Sequence, residues 1–201
     1  MRLVAATKNP GKFAEIEPLL RVLDVELSSL ADFPDVPETP EDGGTFLENA
    51  LIKARAASGF TGFSALADDS GLEVDALGGL PGIRSARFAP TTPERNAKLL
   101  GLLVETPDDR RTARFVCAIA LARPDGFEWS TIGVCEGLIT RAPAGEGGFG
   151  YDPLFLYPPL GLTFAEIPSE EKNRISHRGQ ALAEFIRAVR ENGILGDETR
   201  R

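Results

Sequence analysis

The sequence predicts an α/β fold, and three observations carry that reading. An apolar run at residues 2–6 passes through a glycine-containing turn into an amphipathic helix. A capped helix opening at Thr45 leads into a second apolar run, Ala65-Leu66-Ala67. Two long apolar-rich runs, 112–122 and 128–139, are joined by Arg123-Pro124-Asp125-Gly126-Phe127, a hairpin signal.

Taken in order, residues 2–6 read as a strand, followed by Thr7-Lys8-Asn9-Pro10-Gly11-Lys12 and a helix with Phe13, Ile16, Leu20 and Leu23 on one face. A helix start presents unpaired N–H groups and the positive end of the helix dipole, and Lys8 and Lys12 add full charges, so this turn is a candidate anion site. It lacks the Walker spacing. An ordinary helix start with solvated lysines is the plainer alternative. Pro18 lies inside the helix and is expected to kink it.

A short strand is expected at 25–28, then a long Pro- and acid-rich loop to residue 44 carrying Glu38, Glu41 and Asp42. Thr45-Phe46-Leu47-Glu48 has the form of a capping box and opens a helix expected to stop near Ser58-Gly59. Asn49 and Lys53, four apart, share a face of it. A helix is predicted at 93–103. Gly145-Glu146-Gly147-Gly148-Phe149-Gly150-Tyr151-Asp152 leads into a strand at 153–156, and this glycine loop can bring backbone and an aromatic face close to a flat ligand or serve as a flexible connector. In the last segment Ser176 reads as an N-cap, which puts His177 and Arg178 in the first turn of a helix. Cations are unfavourable there without an anion or polar partner, which marks both as candidate ligand contacts.

The chemistry is expected at Ala67-Asp68-Asp69-Ser70-Gly71-Leu72, where a buried strand meets adjacent carboxylates. On a continuing strand Asp68 and Asp69 would face opposite sides; a turn at Ser70-Gly71 would let both approach one Mg²⁺, a hard cation that prefers oxygen ligands. Turn chemistry alone also explains Asp, Ser and Gly in this order.

Composition narrows the classes. The 201 residues, 42% hydrophobic and 26% charged, suit one sizeable core, expected as a single domain over 1–196 with a disordered tail at 197–201. The formal charge of −8 argues against a nucleic-acid binder. No run reaches membrane-spanning length and the first residues do not read as a signal peptide, so a cytoplasmic protein with no membrane partner is expected. Cys117 and Cys135 read as buried free thiols. Cations come from 17 arginines and only five lysines, at 8, 12, 53, 98 and 172. Compact ammonium charges suit phosphate, and four of the five lie in stretches already singled out.

Six stretches in order, 6–12, 45–50, 67–72, 78–82, 148–153 and 176–179, resemble the inosine triphosphate pyrophosphatase family, the dITP/XTP pyrophosphatases that hydrolyse deaminated purine nucleoside triphosphates to the monophosphate and pyrophosphate. The resemblance covers nearly the whole chain. It implies an elongated, two-lobed α/β protein with a central mixed sheet flanked by helices, a nucleotide groove between the lobes, a homodimer and Mg²⁺ dependence. By resemblance, Thr7, Lys8, Asn9, Pro10, Gly11 and Lys12 cradle the triphosphate, and Asp69 binds the metal and accepts a proton. Asp68, Lys12 and Lys53 support Asp69, while Ser70, Phe149, Gly150, Tyr151, Asp152, Lys172, His177 and Arg178 contact the nucleotide. Glu41 is the choice for the second metal carboxylate and Glu38 its competitor. If Arg178 or His177 donates to purine O6, adenine leaves that donor unpaired, so ATP should be a poorer substrate than GTP. A Maf-type pyrophosphatase acting on pyrimidine or modified nucleotides, or a non-enzymatic nucleotide-binding module, is the alternative.

Overall fold

The computed structural model describes residues 1–196; the expected tail at 197–201 lies outside them. Seven strands form one mixed sheet in the order β2-β1-β3-β4-β5-β6-β7, with β1 Arg2–Ala5, β2 Glu26–Ser29, β3 Ser64–Val74, β4 Thr112–Ala122, β5 Glu128–Ile139, β6 Phe155–Tyr157 and β7 Leu162–Thr163. The helices are α1 Pro10–Leu20, α2 Phe46–Thr61, α3 Thr92–Leu102, α4 Ser169–Ile175 and α5 His177–Asn192. Strand β1 runs parallel to both β2 and β3, whereas β6 is antiparallel to β5 and β7. Parallel neighbours need crossovers, and α1 supplies the one between β1 and β2.

The chain divides into two compact units. Among the described residues, the first comprises 1–69, 117–133 and 178–196, and the second 70–116 and 134–177. In the first, Ile16 and Leu20 of α1, Leu3 and Leu66 of the strands, Ile119 and Leu121 of β4, and Leu182 and Phe185 of α5 form the core. In the second, Leu72, Val74, Leu99, Phe115, Phe155 and Phe164 do so, with Phe115 and Phe164 stacked at 5.7 Å. Both cysteines are free and buried.

Several expectations are corrected. Strand β3 does not turn at Ser70-Gly71: it runs on to Val74, because Leu72 and Val74, alternating at the strand period, are fully buried in the second unit's core. The Leu72 N–H is also taken up by the Ser85 hydroxyl at 2.9 Å. Helix α2 passes Ser58-Gly59 and ends at Gly62, whose left-handed φ of 70° suits a C-cap glycine. Its capping box is divided: Thr45 accepts from the Glu48 N–H, but the Glu48 carboxylate accepts from Gly44 rather than from Thr45. Pro18 falls in the last turn of α1, which stays helical to Leu20. Residues 169–175 form α4, an element the sequence reading did not assign, and β6 starts two residues later than expected.

Candidate active site

In the first unit the turn after β1 is a well-formed helix start. The Asn9 side chain caps α1 by accepting from Gly11 N (2.9 Å) and Lys12 N (3.2 Å), and Pro10 occupies the first helical position. Two of the N–H groups expected to face an anion are therefore already accepted by Asn9. The Thr7 hydroxyl accepts from Asn9 N, and the Lys8 ammonium donates to the Val36 carbonyl at 3.4 Å. Lys12 is not a solvated cation: its ammonium pairs with Asp68.

Because β3 continues, Asp68 and Asp69 meet different partners. Both oxygens of Asp68 are engaged. Lys12 sits on Oδ1, while Oδ2 accepts from Arg178 Nε at 2.9 Å and from the Cys117 thiol at 2.9 Å. Arg178 also pairs with Glu15 of α1. Burial by itself would raise the Asp68 carboxyl, but the charges of Arg178 and Lys12 and the hydrogen bonds from Cys117 and Lys12 outweigh it and hold it well below the usual carboxylate range. Burial pushes the Cys117 thiol well up, so it stays a neutral donor.

Asp69 faces Lys53 of α2. The ammonium donates to Asp69 Oδ1 at 2.7 Å and to the Asp68 carbonyl at 2.7 Å, and lies 3.1 Å from Glu41 Oε1. Here burial dominates: it raises the Asp69 carboxyl, with Lys53 only partly opposing it. The Lys53 ammonium, which burial would lower, is raised by Asp69, Asp68 and Glu41. Glu41, rather than the exposed Glu38, is thus the acid of the loop brought to Lys53. Among the described residues no group of three or more His, Cys, Asp or Glu side chains is placed to hold a metal ion by itself. Two carboxylates facing one ammonium nevertheless make a donor set that fits a hard cation completed by waters and substrate oxygens, since such ions use one or two carboxylates and keep the rest of their shell.

In the second unit, Asp152 is buried and accepts from the Lys172 ammonium at 2.6 Å and from Phe149 N at 2.7 Å. Lys172, on α4, lies 5.3 Å from the Phe149 ring centroid. Gly148, at φ 68°, passes so close to Asp152 that a Cβ would lie 2.1 Å from its Oδ2, so the glycine is required. Tyr151 is buried and its hydroxyl donates to the Ser85 carbonyl at 3.0 Å; burial pushes the phenol up to about 12. Gly150 O accepts from the Asn96 side chain, Ser70 begins the second unit, and the buried His177 ring stacks on Phe115 at 4.7 Å.

The structure gathers Lys12, Lys53, Asp68, Asp69, Glu41 and Arg178 in the first unit and Phe149, Asp152 and Lys172 in the second. The buried Arg178 guanidinium lies on Asp68 and Glu15. Sequence reasoning missed Glu15 and Cys117. Glu15 follows Lys12 by three residues, the spacing that puts two helix side chains together, and this signal was available.

These features define an α/β protein with a buried acid–lysine centre on β3. The chain belongs to the Ham1 family, whose model matches residues 3–188. It is 55% identical over 185 residues to the dITP/XTP pyrophosphatase of Desulforamulus reducens, covering 90% of this chain and 92% of that one. With a dITP/XTP pyrophosphatase of Thermus thermophilus the identity is 51% over 193 residues, covering 95% and 93%. Among solved structures, the HAM1 protein of Coxiella burnetii superposes with a TM-score of 0.87 at 44% identity, covering 95% of this chain and 99% of that chain. The Staphylococcus aureus Ham1 protein gives 0.84 at 37% identity, covering 96% and 100%. The resemblance and the mixed α/β fold expected from the sequence are borne out.

Proposed function

We propose that this protein hydrolyses deaminated purine nucleoside triphosphates, dITP, ITP and XTP, to the nucleoside monophosphate and pyrophosphate, with Mg²⁺ held by Asp69 and Glu41. The observation that carries the reading is the Lys53 ammonium shared by those two carboxylates on β3 and its neighbouring loop. The names of relatives at more than 50% identity support the substrate class. Bound at this pair, the ion would supply charge for phosphate oxygens and lower the pKa of its water.

This chain's own residues do the rest. Water attacks the α-phosphorus, the bond to the bridging oxygen breaks, and pyrophosphate leaves with the electron pair. Asp69 accepts the proton of the attacking water, a role suited to a carboxyl whose proton affinity burial has raised. Lys12 and Lys53 offset charge that builds on the phosphate oxygens. Asp68, ionised and locked by Arg178 and Lys12, keeps those cations in place and stays out of proton transfer. The Asp152–Lys172 pair beside Phe149 offers an acceptor, a cation and an aromatic face, the groups needed to read a purine. A homodimer belongs to the same reading and rests on the family resemblance, while a cytoplasmic location rests on the lack of a signal-peptide pattern or membrane-length apolar run in the sequence. No helix among the described residues is long and apolar enough to cross a membrane.

The test is pyrophosphate release from ITP, XTP, GTP and ATP with and without Mg²⁺, beside Asp69→Asn. Release from ITP and XTP that needs both the metal and Asp69 is expected; release untouched by Asp69→Asn would overturn the assignment.

A further inference from the structure

We propose that Asn49 is a positioning residue that sets Glu41 beside Asp69, a step that rests on the reading of Glu41 and Asp69 as the cation pair. Glu41 lies on a stretch with no regular secondary structure, so neither helix nor sheet hydrogen bonds fix it. Asn49 supplies the first tie: almost wholly buried on α2, its Oδ1 accepts from Gly43 N at 2.9 Å, two residues beyond Glu41. Glu48 supplies a second, accepting from Gly44 N at 2.6 Å.

The fit is close as well as bonded. A Cβ at Gly43 would lie 2.8 Å from Asn49 Oδ1 and 2.8 Å from Glu48 Cβ, so the loop backbone presses directly on this part of α2. Asn49 and Lys53 are four residues apart, hence on one helix face. The same face therefore grips the loop backbone through Asn49 and meets the Glu41 carboxylate through Lys53 at 3.1 Å. An amide in place of an acid matters here. It accepts the loop N–H without adding a third negative charge beside Asp69 and Glu41.

Residues that orient a ligand carboxylate typically change metal affinity 10–100-fold when removed. The experiment is Mn²⁺ titration followed by electron paramagnetic resonance on the full chain for the parent, Glu41→Gln, Asn49→Ala and Asn49→Asp, with hydrogen exchange of the Gly43 and Gly44 amides. Asn49→Ala is expected to weaken Mn²⁺ binding about 10-fold or more, toward the level of Glu41→Gln. It should also deprotect the two amides, while kcat at saturating Mg²⁺ stays near the parent and Asn49→Asp restores protection. Gly43→Ala, which forces the same contact apart from the loop side, should weaken Mn²⁺ binding likewise and keeps the test decisive if Asn49→Ala does not fold. If Glu41→Gln weakens binding but Asn49→Ala and Gly43→Ala do not, the positioning role is wrong and the cation pair stands. If Glu41→Gln binds Mn²⁺ as the parent does, Glu41 is no ligand, and the cation pair and the role of Asn49 fall together.

Discussion

Asp68 and Asp69 are adjacent on one strand and are driven in opposite directions as acids: Asp68 is held ionised by Arg178 and Lys12, while burial raises Asp69 against the opposing charges of Lys53 and Lys12. The division follows from alternation along β3, which hands each carboxylate to a different set of partners.

Asp69→Asn should separate activity from stability. Loss of a general base lowers kcat about 10²–10⁴-fold. Folding disfavours the charge on Asp69, so a group with raised folded pKa weakens the native state once pH exceeds its unfolded value; removing that charge should leave Tm at neutral pH unchanged or higher. Thermal unfolding beside the pyrophosphate assay checks both halves, and a large fall in Tm would refute the second.

Asp68→Asn should do the reverse. The buried Arg178 and the half-buried Lys12 lose their counter-charge, a change worth about 3–5 kcal/mol for a buried pair such as Arg178–Asp68. The Asp68 carboxyl is depressed in the folded state, so its contribution is fully present above the unfolded value of roughly 4 and is lost as pH falls through the folded one. Urea unfolding of parent and variant in metal-free buffer should therefore show a gap that is widest at neutral pH and narrows below about pH 4.

Lys53→Ala should bind a divalent cation more tightly in the absence of nucleotide, because the ammonium that now neutralises Asp69 and Glu41 competes for the same oxygens. Its turnover should still fall about 10²–10³-fold through loss of a fixed charge for the phosphate oxygens. Calorimetric Mn²⁺ titration and steady-state kinetics on one preparation test the two effects; weaker cation binding in the variant would contradict the shared-oxygen picture.

Arg111→Met tests a purely structural group. The buried Arg111 guanidinium donates to three backbone carbonyls, those of Leu103, Ile139 and Thr140, at 2.7–2.8 Å. Stranded buried acceptors cost about 1–3 kcal/mol each, so the variant should lose several kcal/mol in urea unfolding. The KM for ITP of whatever remains folded should stay at the parent value.

Much of this protein is determined by local sequence. The bounds of β4 and β5 follow from long apolar runs closed by a Pro-Asp-Gly turn, and the starts of α1 and α2 from Asn9 and Thr45 as caps. Adjacent carboxylates at the end of an apolar strand, together with the ordered motifs, pointed to β3 as the place for the chemistry, and the scarcity of lysine only supported that reading. Tertiary structure decided what local propensity could not. Asp-Ser-Gly is turn chemistry in isolation, yet burying Leu72 and Val74 on alternate positions outweighs it and keeps β3 extended, which is what sends Asp68 and Asp69 to different partners. The partners themselves, Cys117 and Arg178 for Asp68 and Glu41 for Lys53, come from segments remote in sequence; pairing charges across such distances depends on packing and on the desolvation that packing imposes, and neither is written in a local run of residues.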